Sequence, residues 1–184
     1  MENSIRITIE QKPIDLSPRR RAMTFDTYEA ETPKQKQIKE FLQSFPTSWL
    51  VFYGDVGTGK THLSTALLQD RYKKGVSFEI VKFRYIGIDV RADFSKERQI
   101  IEHYYAPDVL VIEEIGKGYN TDFERELLFE IVDTRMEHNK QTIFITNLSR
   151  DQFLQFIGKP AGDRITSEAQ FIHFNWKSYR QKEE

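Results

Sequence analysis

Cysteine is absent from all 184 residues. That excludes disulfides, Cys-ligated zinc and thiol nucleophiles, and it suits a reducing compartment. An excess of one charge is missing too: 27 Lys and Arg stand against 28 Asp and Glu. A nucleic-acid role therefore needs a local patch, because the global field does not supply it. No apolar run approaches the ~18 residues that would cross a bilayer. The opening MENSIRITIEQK has neither the basic start nor the apolar centre of a secretory signal. Together these absences predict a cytoplasmic protein without membrane association. What is present, 39% hydrophobic and 30% charged residues over the length of one domain, is a globular composition.

The apolar residues switch between two periods along the chain. SIRITI at 4–9 alternates and reads as a short edge strand. KPIDLSPRRR follows and reads as an extended basic linker. Next comes a helix with Thr32 as cap and Pro33 in its first turn, whose Ile38, Phe41, Leu42 and Phe45 share a face. SWLVFY at 48–53 reads as a buried strand, 60 to about 73 as a helix with Gly75 past its end, and VSFEIVKF as a second strand. Residues 84–106 read as two short helices and DVLVIE at 108–113 as a strand buried on both faces. TDFERELLFEIVDTRMEHN reads as a long helix with Phe123, Leu127, Ile131 and Val132 inward. A strand QTIFITN, a helix from 149 to 158 and a strand QFIHFN complete the pattern. Strands alternating with helices predict an α/β fold: a parallel sheet covered on both sides, in three layers. Residues 1–24 form the N-terminal arm in this reading, and 25–184 the core.

The pattern GxxxxGK[ST] is met by Gly54, Gly59, Lys60 and Thr61, within GDVGTGKTH from Gly54 to His62. Glycines let successive N–H groups turn inward toward phosphate oxygens, and the helix that follows places its positive end under the anion. In that chemistry the backbone of Gly54, Asp55, Val56, Gly57, Thr58 and Gly59 cradles the phosphates. Lys60 reaches the β and γ phosphates, and the Thr61 hydroxyl holds Mg²⁺. ATP and Mg²⁺ are the predicted ligands. VLVIEEIG carries Glu113 and Glu114 at the carboxyl end of a buried strand, where parallel sheets bind ligands. One acid there links to Mg²⁺ and the other orients or deprotonates water. Glu113 is one methylene longer than the aspartate such a site ordinarily uses. Either the site tolerates it, or the protein binds nucleotide more than it hydrolyses it. Asn147 ends the next strand, where it can sense the γ-phosphate or simply cap the chain.

Phosphate loop, acidic strand, Asn-ended strand and a late arginine, in that order, resemble an AAA+ ATPase. TFDTYEAETPKQKQ, DVLVIEEIG, EIVDTRMEHNKQTIFITNLS, GDR and FNWKSYR resemble the DnaC-type replicative helicase loaders, and the IstB transposition ATPases share much of the pattern. The likeness runs over roughly residues 24 to 180. It implies a P-loop NTPase with an AAA+ core and no helical lid. It also places Glu113 at the Mg²⁺-linked acid, Glu114 at the catalytic acid, Asn147 at the first sensor and Arg164 at the arginine finger of a neighbouring subunit. Phe25 and Tyr28 fall beside the base, although two core aromatics would read the same. Where the family has a second-sensor arginine, this chain has Gly158-Lys159-Pro160. The helices of 84–106 resemble an insertion that contacts single-stranded DNA. Arg84, Tyr85 and Arg91, with Lys96, Arg98, Tyr104, Tyr105, RYKK at 71–74 and PRRR, would supply charge and stacking. Interleaved Asp89, Asp93, Glu97 and Glu102 equally describe a solvated face.

The implied activity is ATP binding and hydrolysis that loads or remodels a hexameric replicative DNA helicase, with ATP-dependent self-assembly. An IstB-like transposition ATPase and a non-hydrolysing, ATP-gated adaptor stand beside it. A small P-loop kinase would need an Arg-rich closing lid, and no such segment stands out.

Overall fold

The computed structural model describes residues 16–117 and 121–181; the strand expected at 4–9 lies outside them. Five parallel strands form one sheet in the order β2-β3-β4-β1-β5. They are β1 Trp49–Gly54, β2 Phe78–Lys82, β3 Val109–Ile115, β4 Gln141–Thr146 and β5 Ala169–Phe174. The interior strands β1, β3 and β4 carry the unbroken apolar runs 50–52, 109–112 and 143–145, because both of their faces are covered. Leu50, Phe52, Val109, Val111, Ile143 and Ile145 pack on one side against α2 Pro33–Gln43 and α3 Lys60–Tyr72. Val51, Leu110, Ile112 and Phe144 pack on the other. There they meet α4 Phe83–Ala92, α5 Glu97–Tyr105, α6 Asp122–Glu137, α7 Arg150–Ile157 and α8 Lys159–Glu168. The strand period of two sorts these residues into two cores separated by the sheet, giving the three layers expected. Among the described residues no helix is long and apolar enough to cross a membrane.

Thr32, Thr121 and Ser149 each start a helix with a reciprocal capping box, using Gln35, Glu124 and Gln152. Each pair satisfies backbone donors that the helix start leaves open. Two elements differ from the sequence reading. Residues 18–21, expected to be extended, form the one-turn helix α1 Pro18–Arg21. Ser17 caps it and Pro18 takes its first position, the placement its fixed φ favours. Leu16, just before it, is buried. Helix α8 was not anticipated. Of its residues only Ala161, Gly162 and Ile165 are buried, which leaves almost no apolar period to read. Gly158, at φ 80°, ends α7, and Pro160 sits in the first turn of α8.

At the opposite edge from the strand carboxyl ends lies Arg135, a cation with no exposed surface. Its guanidinium donates to the carbonyls of Tyr104, Tyr105, Pro107 and Gln141 and to the Thr142 hydroxyl. The first two belong to the end of α5, where the helix dipole favours a cation. Burial draws its pKa down to about 10, so it stays charged at neutral pH. Arg135 thus stitches α6 to the turn that feeds β3. Removing it strands several buried carbonyls, each of which costs about 1–3 kcal/mol unpaired. Arg135→Met is therefore expected to lower stability by about 3 kcal/mol or more, seen as a lower urea midpoint, with Arg135→Lys recovering only part of the loss.

Candidate functional site

Because all five strands run the same way, the turns leaving β1, β3 and β4 converge on one edge. They border a cavity of about 570 Å³, closed on its outer side by residues 17–29 and by Tyr179 and Arg180. The loop between β1 and α3 forms its floor. Its glycines are obligatory for reasons of space as well as conformation. A Cβ on Gly54, at φ 118°, would stand 2.4 Å from the Phe174 carbonyl oxygen. One on Gly57, at φ 79°, would stand 2.0 Å from Ser178 Oγ. The segment after β5 clasps this loop. Tyr179 N–H donates to the Gly57 carbonyl and Trp176 Nε1–H to the Thr58 carbonyl, both at 2.9 Å. The Tyr179 hydroxyl donates to the Glu29 carbonyl at 2.6 Å and accepts from Gln35 Nε2 at 2.9 Å. FNWKSYR, which phosphate chemistry alone does not require, is therefore the outer brace of the phosphate loop.

Lys60 folds back into its own loop, donating to the Gly54 and Asp55 carbonyls at 2.6 Å each. Burial pulls its ammonium down to about 8, with Asp55 opposing the shift. Val56, Gly57, Thr58, Gly59, Thr61 and His62 also line the cavity. His62 Nε2 is 2.8 Å from the Thr24 carbonyl oxygen and so ties the 24–28 turn to α3. Of the two aromatics expected near the base, Tyr28 lines the cavity, whereas Phe25 is buried in the core and does not.

The acid pair depends on an irregularity. In a regular strand, Glu113 and Glu114 would face opposite sides of the sheet. Between Ile112 and Ile115 the β3–β4 register shifts, and Glu114 takes a left-handed φ of 59°. That bulge turns both carboxylates to the cavity. The Thr146 hydroxyl holds the bulge by donating to the Ile115 carbonyl at 2.7 Å, and exposed Asn147 lines the same rim. Glu114 pairs with Lys82 at 3.2 Å. Glu113 is buried, and both its oxygens accept from Arg20, at 2.5 and 3.3 Å. Arg20 is a site residue that the sequence reading missed, because a basic run before the core reads as solvated. The oxygen donors of Thr61, Glu113 and Glu114 around one cavity suit a hard cation such as Mg²⁺.

Arg164 does not line this cavity. It pairs with Asp133 on α6 and lies over the Phe129 ring, 4.5 Å from its centroid. Arg84 and Tyr85 are exposed on α4, and Arg91 follows on the same helix, bonded to Thr121 Oγ1 at 3.2 Å. Three other residues read as surface are otherwise employed. Tyr104 is buried and donates to Asp89, so it offers no face for base stacking. Arg71 is buried, bonded to Gln141 and to the Pro46 carbonyl. Arg20 is taken by Glu113.

Residues 12–184 match the family described as IstB-like ATP binding protein. The replicative helicase loader DnaC of Escherichia coli K12 is 26% identical over 178 residues, covering 91% of this chain and 73% of that one. YdaV, an uncharacterised protein of the same organism, is 27% identical over 176 residues, covering 90% and 71%. The crystal structure of the DnaC helicase loader superposes with a TM-score of 0.76 at 23% identity, covering 85% of this chain and 99% of that one. The replication initiator DnaA bound to AMPPCP and single-stranded DNA gives 0.72 at 18% identity, covering 89% and 52%. The superpositions establish the fold, a five-stranded parallel sheet between helices with a glycine-rich loop after its first strand.

The position of Lys60 carries a pH signature. In the free protein its ammonium loses its proton as pH rises through about 8. A bound triphosphate would restore the charged form. Binding should therefore take up about half a proton at pH 8 and almost none at pH 6, and affinity should fall as pH rises above 8. Calorimetry in buffers of different ionisation enthalpy measures this uptake, and Lys60→Arg should abolish it.

Proposed function

Because the chain belongs to the family of IstB-like ATP binding proteins, we propose that it is an AAA+ ATPase that loads or remodels a replicative DNA helicase, its nucleotide state switching the assembly. One observation carries the reading. The phosphate loop, two carboxylates and an asparagine, on three different strands, meet in one cavity. The DnaC relatives are replicative helicase loaders, and that role supplies the partner class.

Each residue has a definite task in this scheme. The amides of 56–61 and the Lys60 ammonium hold the polyphosphate. Thr61 would hold Mg²⁺ with help from the acids, and the ion would screen charge on the β and γ oxygens. Glu114 orients the attacking water and accepts its proton, which requires it to leave Lys82. Asn147 fixes that water or the γ-phosphate by hydrogen bonding. Tyr28, buried but lining the cavity, offers a wall to the base. Arg164 acts on the site of a neighbouring copy by exchanging Asp133 for a developing phosphoryl charge. Single-stranded DNA would lie along the exposed face of α4 at Arg84 and Tyr85, with Arg91 contributing as it exchanges Thr121 for phosphate.

A second reading, ATP-gated binding without turnover, has its own support: both acids are paired with cations of the same chain. Turnover measured with helicase and single-stranded DNA present separates the two. Under the first reading Glu114→Gln keeps ATP affinity and loses about 100-fold in turnover, while Lys60→Ala loses binding. Wild-type protein that binds ATP yet shows no turnover selects the second. Light scattering should show larger particles with a non-hydrolysable ATP analogue, and Arg164→Ala should remove that growth without removing binding.

A further inference from the structure

We propose that Arg20 is a removable counter-cation for Glu113, and that the segment carrying it is a latch which magnesium-nucleotide opens. The inference rests on Glu113 lying at the metal end of a nucleotide site, and the experiment below separates the two ideas.

Glu113 is 4% exposed, so its charge needs a partner. Among the described residues its one ion pair is with Arg20, whose Nη2 is 2.5 Å from one oxygen and whose Nη1 is 3.3 Å from the other. The same Nη1 reaches Thr65 Oγ1 at 3.3 Å, so one guanidinium joins the acid of β3 to the helix that follows the phosphate loop. The neighbouring cations are otherwise engaged. Lys60 is folded into its own loop, and Lys82 pairs with Glu114.

The length of the acid fits this role. An aspartate at 113 would withdraw the carboxylate by about 1.5 Å, breaking a contact that now measures 2.5 Å. The glutamate reaches Arg20; a metal-linked acid has no need of the extra methylene.

The segment itself is lightly held. Helix α1 is a single turn and buries none of its own residues. Leu16 anchors it on one side, and Gln69 Nε2 donates to the carbonyls of Arg20 and Met23 at 3.2 and 2.7 Å on the other. Among the described residues the Arg20–Glu113 pair is its one ion pair. A divalent cation arriving beside Glu113 competes for the same oxygens and repels the guanidinium. Releasing Arg20 leaves α1 with too few contacts to keep its turn. Nucleotide state would thus be transmitted to the arm that leads into the core, which is where a partner can read it.

Hydrogen exchange tests this directly. The amides of Arg21, Ala22 and Met23 are bonded within the turn, to Ser17, Pro18 and Arg20. With Mg²⁺ and a non-hydrolysable ATP analogue they should exchange about tenfold faster, and with the analogue plus chelator they should not change. Glu113→Asp and Arg20→Gln should exchange at the fast rate without ligand, at a melting temperature that shows both still folded. Arg20→Gln should also bind the magnesium-analogue complex several-fold tighter. Exchange that is unchanged or slower with the complex, in protein that binds it by calorimetry, overturns the latch. Absence of any Lys60-dependent binding would overturn the nucleotide site beneath it instead.

Discussion

The site depends on a loop that is gripped from outside by the segment that follows β5. Gly54 lies against the Phe174 carbonyl, Gly57 against Ser178, and the carbonyls of Gly57 and Thr58 accept from Tyr179 and Trp176. Those carbonyls must point outward if the neighbouring N–H groups are to face the cavity. The clasp therefore orients donors that a free glycine loop would leave to fluctuate. It forms only once β5 has paired with β1 through the full register from Trp49↔Ala169 to Gly54↔Phe174. The shape of the loop at residue 57 is thereby tied to strand pairing more than a hundred residues later.

Charge in the cavity is balanced from within the chain. Lys60 faces carbonyl oxygens, Lys82 faces Glu114, and Arg20 faces Glu113. At Lys60 and Glu113, which are buried, the pairing avoids a lone buried charge, whose cost would be several kcal/mol; the Lys82–Glu114 pair is partly exposed. Each pairing also lies on a group that the proposed chemistry needs. In the proposed scheme, binding magnesium-nucleotide would be an exchange of partners: phosphate would replace carbonyls at Lys60, and the metal would compete with Arg20 at Glu113. Affinity is the difference between two paired states, which is why shortening one acid or removing one arginine should change it measurably.

Much of this was legible in residues alone. The strands were readable because burial on both faces makes them apolar without interruption, as in Leu50-Val51-Phe52 and Val109-Leu110-Val111-Ile112. The phosphate loop was readable because its chemistry dictates residue types at fixed spacing. Helix α8 was not, since Lys159-Pro160-Ala161-Gly162 buries small residues without a period. Arg20, Arg71 and Arg135 were not, since an arginine engaged within the fold looks like a solvated one until its acceptors are known. Those acceptors lie far along the chain: Glu113, Gln141, and the carbonyls at the end of α5. Sequence pattern reports apolar burial well and long-range polar pairing poorly, because the first is periodic and the second is not.

The bulge at Glu114 unites these threads. A left-handed conformation at a residue with a long side chain costs about 1 kcal/mol or more. Gly at 114 would remove that cost and the carboxylate with it. The conformation is held by the Thr146–Ile115 hydrogen bond and by Gly116, itself at φ 99° and packed against Leu148. Its effect is geometric. It lets adjacent residues, which a strand would send to opposite faces, share one cavity, with Glu113 directed to the arm and Glu114 to the open rim. In the proposed scheme one acid would report on occupancy and the other would act on what occupies the site, and a regular strand could not provide both.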